Sequence, residues 1–486
     1  MDNRHETGIS PPNANDRIFR PEDLAHWCGG HWENPPPRIR GFTHDSRRVA
    51  PGNLYIAISG AKRDGHDFVP DVLRAGAAAA LVRTDWQPPP SPEGGANAGA
   101  PPPSLLRVSD TRQALLALGN GYRRRVAPFI IGVTGSIGKS TVKEWTAALL
   151  ATIGPTAATS GNFNTDVGLP LSLLQMAPET RLGVFELGMN HPGEIAPLAR
   201  TLEPQAAIIC ALAPVHLEAF ASMEAIADEK AALLRQLPAS GFAVLDAASP
   251  WFDFLRRQTA ARVVTVSLGP AIAADYQAED IREGTGDFTL TGRAADHPRS
   301  LSVGLPGRHN ILNLLLAIAA ARSCGAAWEA IEEALHRLPR MPMRWEQRQW
   351  HGMTVINDAY NASPAAMEAA IRAFAAAATG HRRVLVLGEM RELGPDAERL
   401  HAASGACVAE CGGDLLIAVG KGGGWIAETA LRHGFGGDIC RVDDAREAGA
   451  ALARLTRAGD WVLLKASRGV ALEGALSAWQ DNLENH

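Results

Sequence analysis

A chain of 486 residues has room for about three domains of ordinary size. Hydrophobic residues at 46% and charged residues at 20% describe a globular protein with ample core. The net charge of -5 lacks the basic footprint of a nucleic-acid binder, and no apolar run approaches the ~18 residues of a membrane span. The start, MDNRHETGISPPNANDR, is polar and carries no apolar signal core. Six cysteines (Cys28, Cys210, Cys324, Cys407, Cys411 and Cys440) lie scattered, without the companion ligands of a zinc site. Reduced thiols, a cytoplasmic address and a monomer are the expectation.

Taken in chain order, residues 1–16 read as a disordered leader rich in Pro, Asn and charge. The segment THDSRRVAPGNLYIAISG holds a turn at Pro51-Gly52-Asn53 and an alternating strand from Leu54 to Ile58. The Pro/Gly/Ala tract 87–104 suits neither helix nor central strand and predicts a surface loop inserted in the first domain. From Pro128 onward, short apolar runs (FIIGVT, AAIICAL, RRVLVLG, DLLIAVG, WVLLKAS) alternate with helical stretches such as AAMEAAIRAFAAAA. Buried runs separated by helices mean parallel sheets covered on both faces. The expected fold is α/β with three domains. They are a small α/β N-terminal domain (17–126), a central P-loop-type, mostly parallel sheet flanked by helices (127–340), and a Rossmann-like C-terminal domain (341–486).

The strongest local signal is IIGVTGSIGKSTVKEW. An apolar strand from Phe129 to Val133 runs into Gly135-Ser136-Ile137-Gly138-Lys139-Ser140-Thr141, and a helix follows from Lys139. Glycines let backbone N–H groups turn inward as an anion nest, and the helix N-terminus adds its dipole there. Lys139 would reach the β- and γ-phosphates of ATP, and the Ser140 hydroxyl would bind Mg²⁺. Val133 stands where the strict pattern wants a glycine, so the match is to a GxxGK[ST] variant.

TGSIGKST, followed by GNFNTDVGLPLSLL, ELGMNHPGEI, APVHLEAF and DAYNASPAAM, resembles the Mur ligase family. The landmarks keep the family's order and span residues 43 to 473. ELGMNHPGEI, VLGEMRELG and NDAYNASPAAM resemble the branch that adds D-alanyl-D-alanine. The resemblance implies ATP-dependent ligation of that dipeptide to UDP-N-acetylmuramoyl-tripeptide through an acyl phosphate, in peptidoglycan precursor synthesis. Glu186 and His216 match metal-site residues of the family, and Lys230 matches a lysine that is carbamylated there. Carbamylation needs a neutral amine, hence a depressed pKa. Asn310 and Asn313, one helical turn apart, match residues of the adenine pocket. Arg344 matches an arginine that meets the γ-phosphate on closure of the C-terminal domain, and Asp358 an acid that grips the ribose.

Asp45, Ser46 and Arg47 resemble the uridine-nucleotide segment of the first domain, with Asn162 and Thr165 facing the muramoyl peptide. Tyr360, Asn361, Lys465, Ser467 and Arg468 resemble the surroundings of the incoming dipeptide. For each of these the plain structural alternative, a helix cap, turn or solvated charge, stays open. Thr165, Ala211, Glu389 and Ala466 depart from the family's usual residues. A sister ligase adding one amino acid would carry DYAHTP and DNPR segments, which are missing. A non-ligating ATP-binding protein has no need to retain Lys139, Glu186, His216 and Lys230 together.

Overall fold

The computed structural model describes residues 18–60, 62–89 and 102–484; the leader 1–16 and residues 90–101 of the Pro/Gly tract lie outside the described residues. Three sheets follow one another along the chain. The first contains β1 (His31–Glu33), β2 (Gly41–Thr43), β3 (Asn53–Ile56), β4 (Ala79–Arg83) and β5 (Leu105–Val108), in the order β1-β5-β4-β3-β2. Its pairs are parallel except β1 with β5. The strand read as alternating, β3, instead buries Leu54, Tyr55 and Ile56 in succession. The reason is cover on both faces: Leu54 and Ile56 pack towards the helix Thr111–Val126, and Tyr55 joins Val69 and Val72 of the helix Val69–Arg74.

The second sheet has nine strands: β6 (Phe129–Thr134), β7 (Thr156–Ala158), β8 (Leu182–Glu186), β9 (Ala206–Ile209), β10 (Phe242–Asp246), β11 (Arg262–Leu268), β12 (Tyr276–Arg282), β13 (Asp287–Thr291) and β14 (Arg299–Ser302). Their order is β14-β13-β12-β11-β10-β9-β6-β8-β7. From β7 to β12 every pair is parallel; β13 and β14 add an antiparallel meander at the edge. The chain leaves β6 for β7 and β8 on one side, then crosses to β9 on the other. That reversal opens a crevice at the carboxyl ends of β6, β8 and β9, the place where open α/β sheets bind ligands. The helix Thr111–Val126 joins the first two sheets and packs against the helix Gly168–Leu174 of the second.

The third sheet contains β15 (Glu346–Trp350), β16 (Met353–Asn357), β17 (Arg383–Leu387), β18 (Leu415–Val419), β19 (Asp438–Val442) and β20 (Trp461–Lys465), ordered β15-β16-β20-β17-β18-β19. Only the β15–β16 hairpin is antiparallel. Helices Pro364–Ala377, Ala397–Cys411 and Gly420–Arg432 cover one face; Ala445–Leu455 and Gly474–Glu484 cover the other. Strands read as continuous apolar runs are therefore buried on both sides, as parallel strands must be. The six cysteines are free thiols.

Candidate active site

The loop between β6 and the helix Lys139–Leu150 is shaped by what a side chain would meet there. Gly138 has φ +88, and a Cβ at that position would lie 2.5 Å from Asn313 Oδ1. Only glycine fits both the backbone conformation and the space. The loop is tied down from the strand-end segment after β9: Ser136 N and Ile137 N donate to Ala211 O at 2.9 and 3.2 Å, and Ser136 Oγ donates to Ala213 O at 2.9 Å. Lys139 Nζ donates to Gly135 O at 3.0 Å and Ser136 O at 3.3 Å. Thr141 is buried in the first helical turn.

Glu186, the last residue of β8, is only 2% exposed, yet its carboxylate is fully engaged. Oε2 accepts from Ser140 Oγ at 2.8 Å, and Oε1 accepts from Asn164 Nδ2 at 2.8 Å. Its backbone N–H donates to Thr159 Oγ1 at 2.9 Å. The fully buried Lys143 fixes that segment from below, donating from Nζ to Thr159 O at 2.7 Å. Arg344 arrives from beyond the central sheet: Nη2 donates to Ser140 Oγ at 3.3 Å, and the guanidinium lies 4.4 Å above the Tyr360 ring. A hydroxyl, a carboxylate and a guanidinium from distant parts of the chain thus meet at one point.

His216 and Lys230 follow β9. The His216 Nδ1 lies 2.5 Å from Glu392 Oε2. Burial pushes the imidazole pKa below its ordinary value against the pull of Glu392, which favours the neutral ring. Burial, with the Lys139 charge next in weight, holds the Lys230 amine well below the ordinary lysine value. Lys230 is only 2% exposed. A buried, neutral-leaning amine is the form that CO₂ adds to, so the residue fits carbamylation. Ser140 and Glu186 supply the hard oxygen donors that Mg²⁺ takes. Among the described residues no three His, Cys, Asp or Glu side chains gather to hold a metal by themselves. A Mg²⁺ ion here would draw further oxygens from phosphate and water, its usual habit.

Asn310 spends its amide on Pro306 O at 2.7 Å, whereas Asn313 lies against Gly138. Asp358 has both oxygens occupied: Oδ1 accepts from Trp345 N at 3.1 Å, and Oδ2 accepts from Lys465 Nζ at 2.6 Å. Lys465 is buried and also reaches Asn361 O at 3.2 Å. Ser467 Oγ donates to Ala362 O at 3.1 Å and accepts from Arg391 N at 2.9 Å, so it stitches three loops together. Arg468 Nη1 pairs with Glu473 Oε1 at 2.6 Å, and Asn361 Oδ1 accepts from Arg468 N at 3.4 Å.

In the first domain, Asp45 caps a short turn around Ser46 and binds its neighbour Arg47 through Nε and Nη2 at 2.9 and 2.8 Å. That charge pair holds the Asp45 carboxyl well below the ordinary range. Asn162 and Thr165 are exposed, and Thr165 Oγ1 accepts from Gly168 N at 3.4 Å. The neighbouring Asp166 ties the two domains through Arg112 Nη1 at 2.6 Å. The sequence assigns no role to Asn164, Thr159, Lys143 or Glu392. Asn164 stood inside GNFNTDVG, two residues from the asparagine that was chosen. Glu392 stands inside VLGEMRELG, but its pairing with His216, 176 residues away, left no local signal.

A strand, a glycine turn and a helix, with a buried carboxylate against the helix's first hydroxyl, define a phosphate-loop protein. Profiles of the Mur ligase family match along the chain: the catalytic domain over residues 38–121, the middle domain over 133–321, and the glutamate ligase domain over 343–468. The chain is 35% identical to the UDP-N-acetylmuramoyl-tripeptide--D-alanyl-D-alanine ligase of Bacillus subtilis, covering 93% of this chain and 96% of that one. It is 34% identical to the protein of the same name from Escherichia coli, covering 94% and 98%. A crystal structure of MurF from Acinetobacter baumannii superposes with a TM-score of 0.85 at 27% identity, over 96% of this chain and 99% of that one. MurF of Thermotoga maritima in complex with ADP gives 0.78 at 26% identity, over 92% and 98%. The chain belongs to the Mur ligase family.

Proposed function

We propose that this protein joins D-alanyl-D-alanine to UDP-N-acetylmuramoyl-tripeptide in the cytoplasm, using ATP and forming ADP and phosphate. Relatives at 35% and 34% identity that span nearly the whole chain carry that reaction in their names, and a structural relative holds ADP. The observation that carries the reading is the meeting of Ser140, Glu186 and Arg344 beside the phosphate loop.

A carboxylate oxygen is a poor leaving group, so the substrate carboxylate must first accept the γ-phosphoryl of ATP. Lys139 and the N–H groups of 138–141 at the helix start hold the phosphates, Ser136 N and Ile137 N being engaged by Ala211 O, and Arg344 neutralises charge that builds on the moving phosphoryl. Mg²⁺, bound when nucleotide is present, would screen two polyanions from each other, with Ser140, Glu186, His216 and the Lys230 carbamate as its protein-side ligands. Asn164 orients Glu186, and Lys143 orients the Thr159 segment beneath it. The dipeptide amine then attacks the acyl phosphate, and phosphate leaves.

The asparagine pair Asn310 and Asn313 is assigned to the adenine side, with Asp358 at the ribose end. The turn Asp45-Ser46-Arg47 is assigned to the UDP moiety, and Asn162 and Thr165 to the muramoyl peptide. Tyr360 and Asn361 are assigned to the dipeptide side with Arg468, whose exposed guanidinium, paired with Glu473, could take the dipeptide carboxylate; Lys465 and Ser467 brace that loop from inside. Phosphate release from ATP should depend on both the UDP-muramoyl tripeptide and D-alanyl-D-alanine. Release supported instead by a single amino acid and a shorter UDP-muramoyl precursor would move the chain to a sister ligase.

A further inference from the structure

The segment His216-Leu217-Glu218 of the central domain is docked on Glu392-Leu393-Gly394 of the C-terminal domain by two polar contacts and a close approach at Gly394. Glu392 Oε2 faces His216 Nδ1 at 2.5 Å, Leu217 N donates to Glu392 O at 3.1 Å, and a Cβ on Gly394 would lie 3.7 Å from Glu218 Cγ. The Leu217 side chain packs against the hydrophobic core of the third sheet. His216 and Glu392 both sit in the left-handed backbone region, with φ +56 and +63. Non-glycine residues occupy that region at a cost and only where the surroundings impose it. Here two such residues face each other across a domain seam.

We propose that Glu392 is the positioning residue for His216, so that the histidine is correctly presented only when the C-terminal domain is docked. The carboxylate accepts the Nδ1 proton, which fixes the tautomer and leaves the Nε2 lone pair free to serve as a ligand. Ligating histidines are commonly oriented through their other ring N–H by a carboxylate, a backbone carbonyl or water; in this chain the partner is a carboxylate from another domain. Docking therefore completes two parts of the site at once: Arg344 against Ser140, and His216 through Glu392. Phosphoryl transfer is thereby coupled to closure by an imidazole orientation as well as by an arginine.

The inference rests on the metal-site role given to His216 above, and its test is arranged to separate the two. In nitrogen-15 histidine-labelled protein without nucleotide, the resonance lost in His216→Gln identifies this ring. It is expected as the Nδ1–H tautomer in the unmodified protein and in Glu392→Gln, which keeps an acceptor oxygen. In Glu392→Ala it is expected to shift towards the Nε2–H form. In ligation assays, Glu392→Ala should lower kcat by ~10–100-fold and raise the Mg²⁺ concentration needed for half-maximal rate, with KM for ATP little changed. An Nε2–H ring in the unmodified protein, or a Glu392→Ala variant with unaltered kcat and Mg²⁺ dependence, would overturn the proposal. Normal tautomer behaviour in a protein that ligates nothing would instead count against the function and leave the Glu392 contact standing.

Discussion

Lys139 donates to two carbonyls of its own loop, which keeps its ammonium at the loop. Lys139→Ala should lower turnover by about 10²–10³-fold or more while leaving the thermal unfolding profile in place. Retained ligation with normal kinetics would remove the phosphate-loop assignment. Lys230 makes a different prediction. Its folded pKa is depressed below the ordinary 10.5, so between the depressed value and 10.5 the native state binds fewer protons than the unfolded chain. Stability therefore rises with pH across that window. Denaturant midpoints for the unmodified protein and Lys230→Met, measured at pH 7 and pH 9, should show a pH-dependent gain that the methionine variant lacks. Lys230→Ala should lose activity and recover part of it with short carboxylates in solution.

At the scale of elements, the turn from β6 into its helix depends on one glycine. Gly138→Ala would place a methyl 2.5 Å from Asn313 Oδ1 in a backbone conformation that alanine resists. We expect a loss of roughly 1–2 kcal/mol in stability from the left-handed backbone alone and a further loss of nucleotide affinity, read by calorimetric titration with ADP. Unchanged affinity would mean that the loop is not shaped by the Gly138–Asn313 approach. This turn was the most legible feature of the sequence, because the strand, the glycines and the helix are contiguous and each has its own local rule. The alternating reading of Leu54 to Ile58 failed for a physical reason. Period-2 patterning reports which faces are wet, and β3 has helices on both. Asp358 and Lys465 were likewise legible as residue types but not as a pair, since 107 residues separate them.

At the scale of the whole molecule, the first two sheets share an apolar core through the helix Thr111–Val126, and polar contacts mark the seams between domains. Arg112 meets Asp166 between the first and second, and Arg344 meets Ser140 between the second and third. Arg344→Ala should reduce kcat by ~10³-fold, with substrate KM values far less affected, because the arginine acts where charge develops. A change confined to KM would make it a binding residue only. Domain order was readable from the succession of apolar runs, whereas the seams were not: they join residues that no local pattern links.

Activation of the substrate carboxylate is the central step of the proposed reaction. The direct measurement supplies UDP-muramoyl tripeptide labelled with oxygen-18 in the reacting carboxylate, together with ATP, Mg²⁺ and D-alanyl-D-alanine, and weighs both products. The expected products are a UDP-muramoyl pentapeptide and inorganic phosphate that has gained a single oxygen-18 atom. Unlabelled phosphate, or labelled tripeptide recovered unchanged while ATP is consumed, would contradict the proposed reaction.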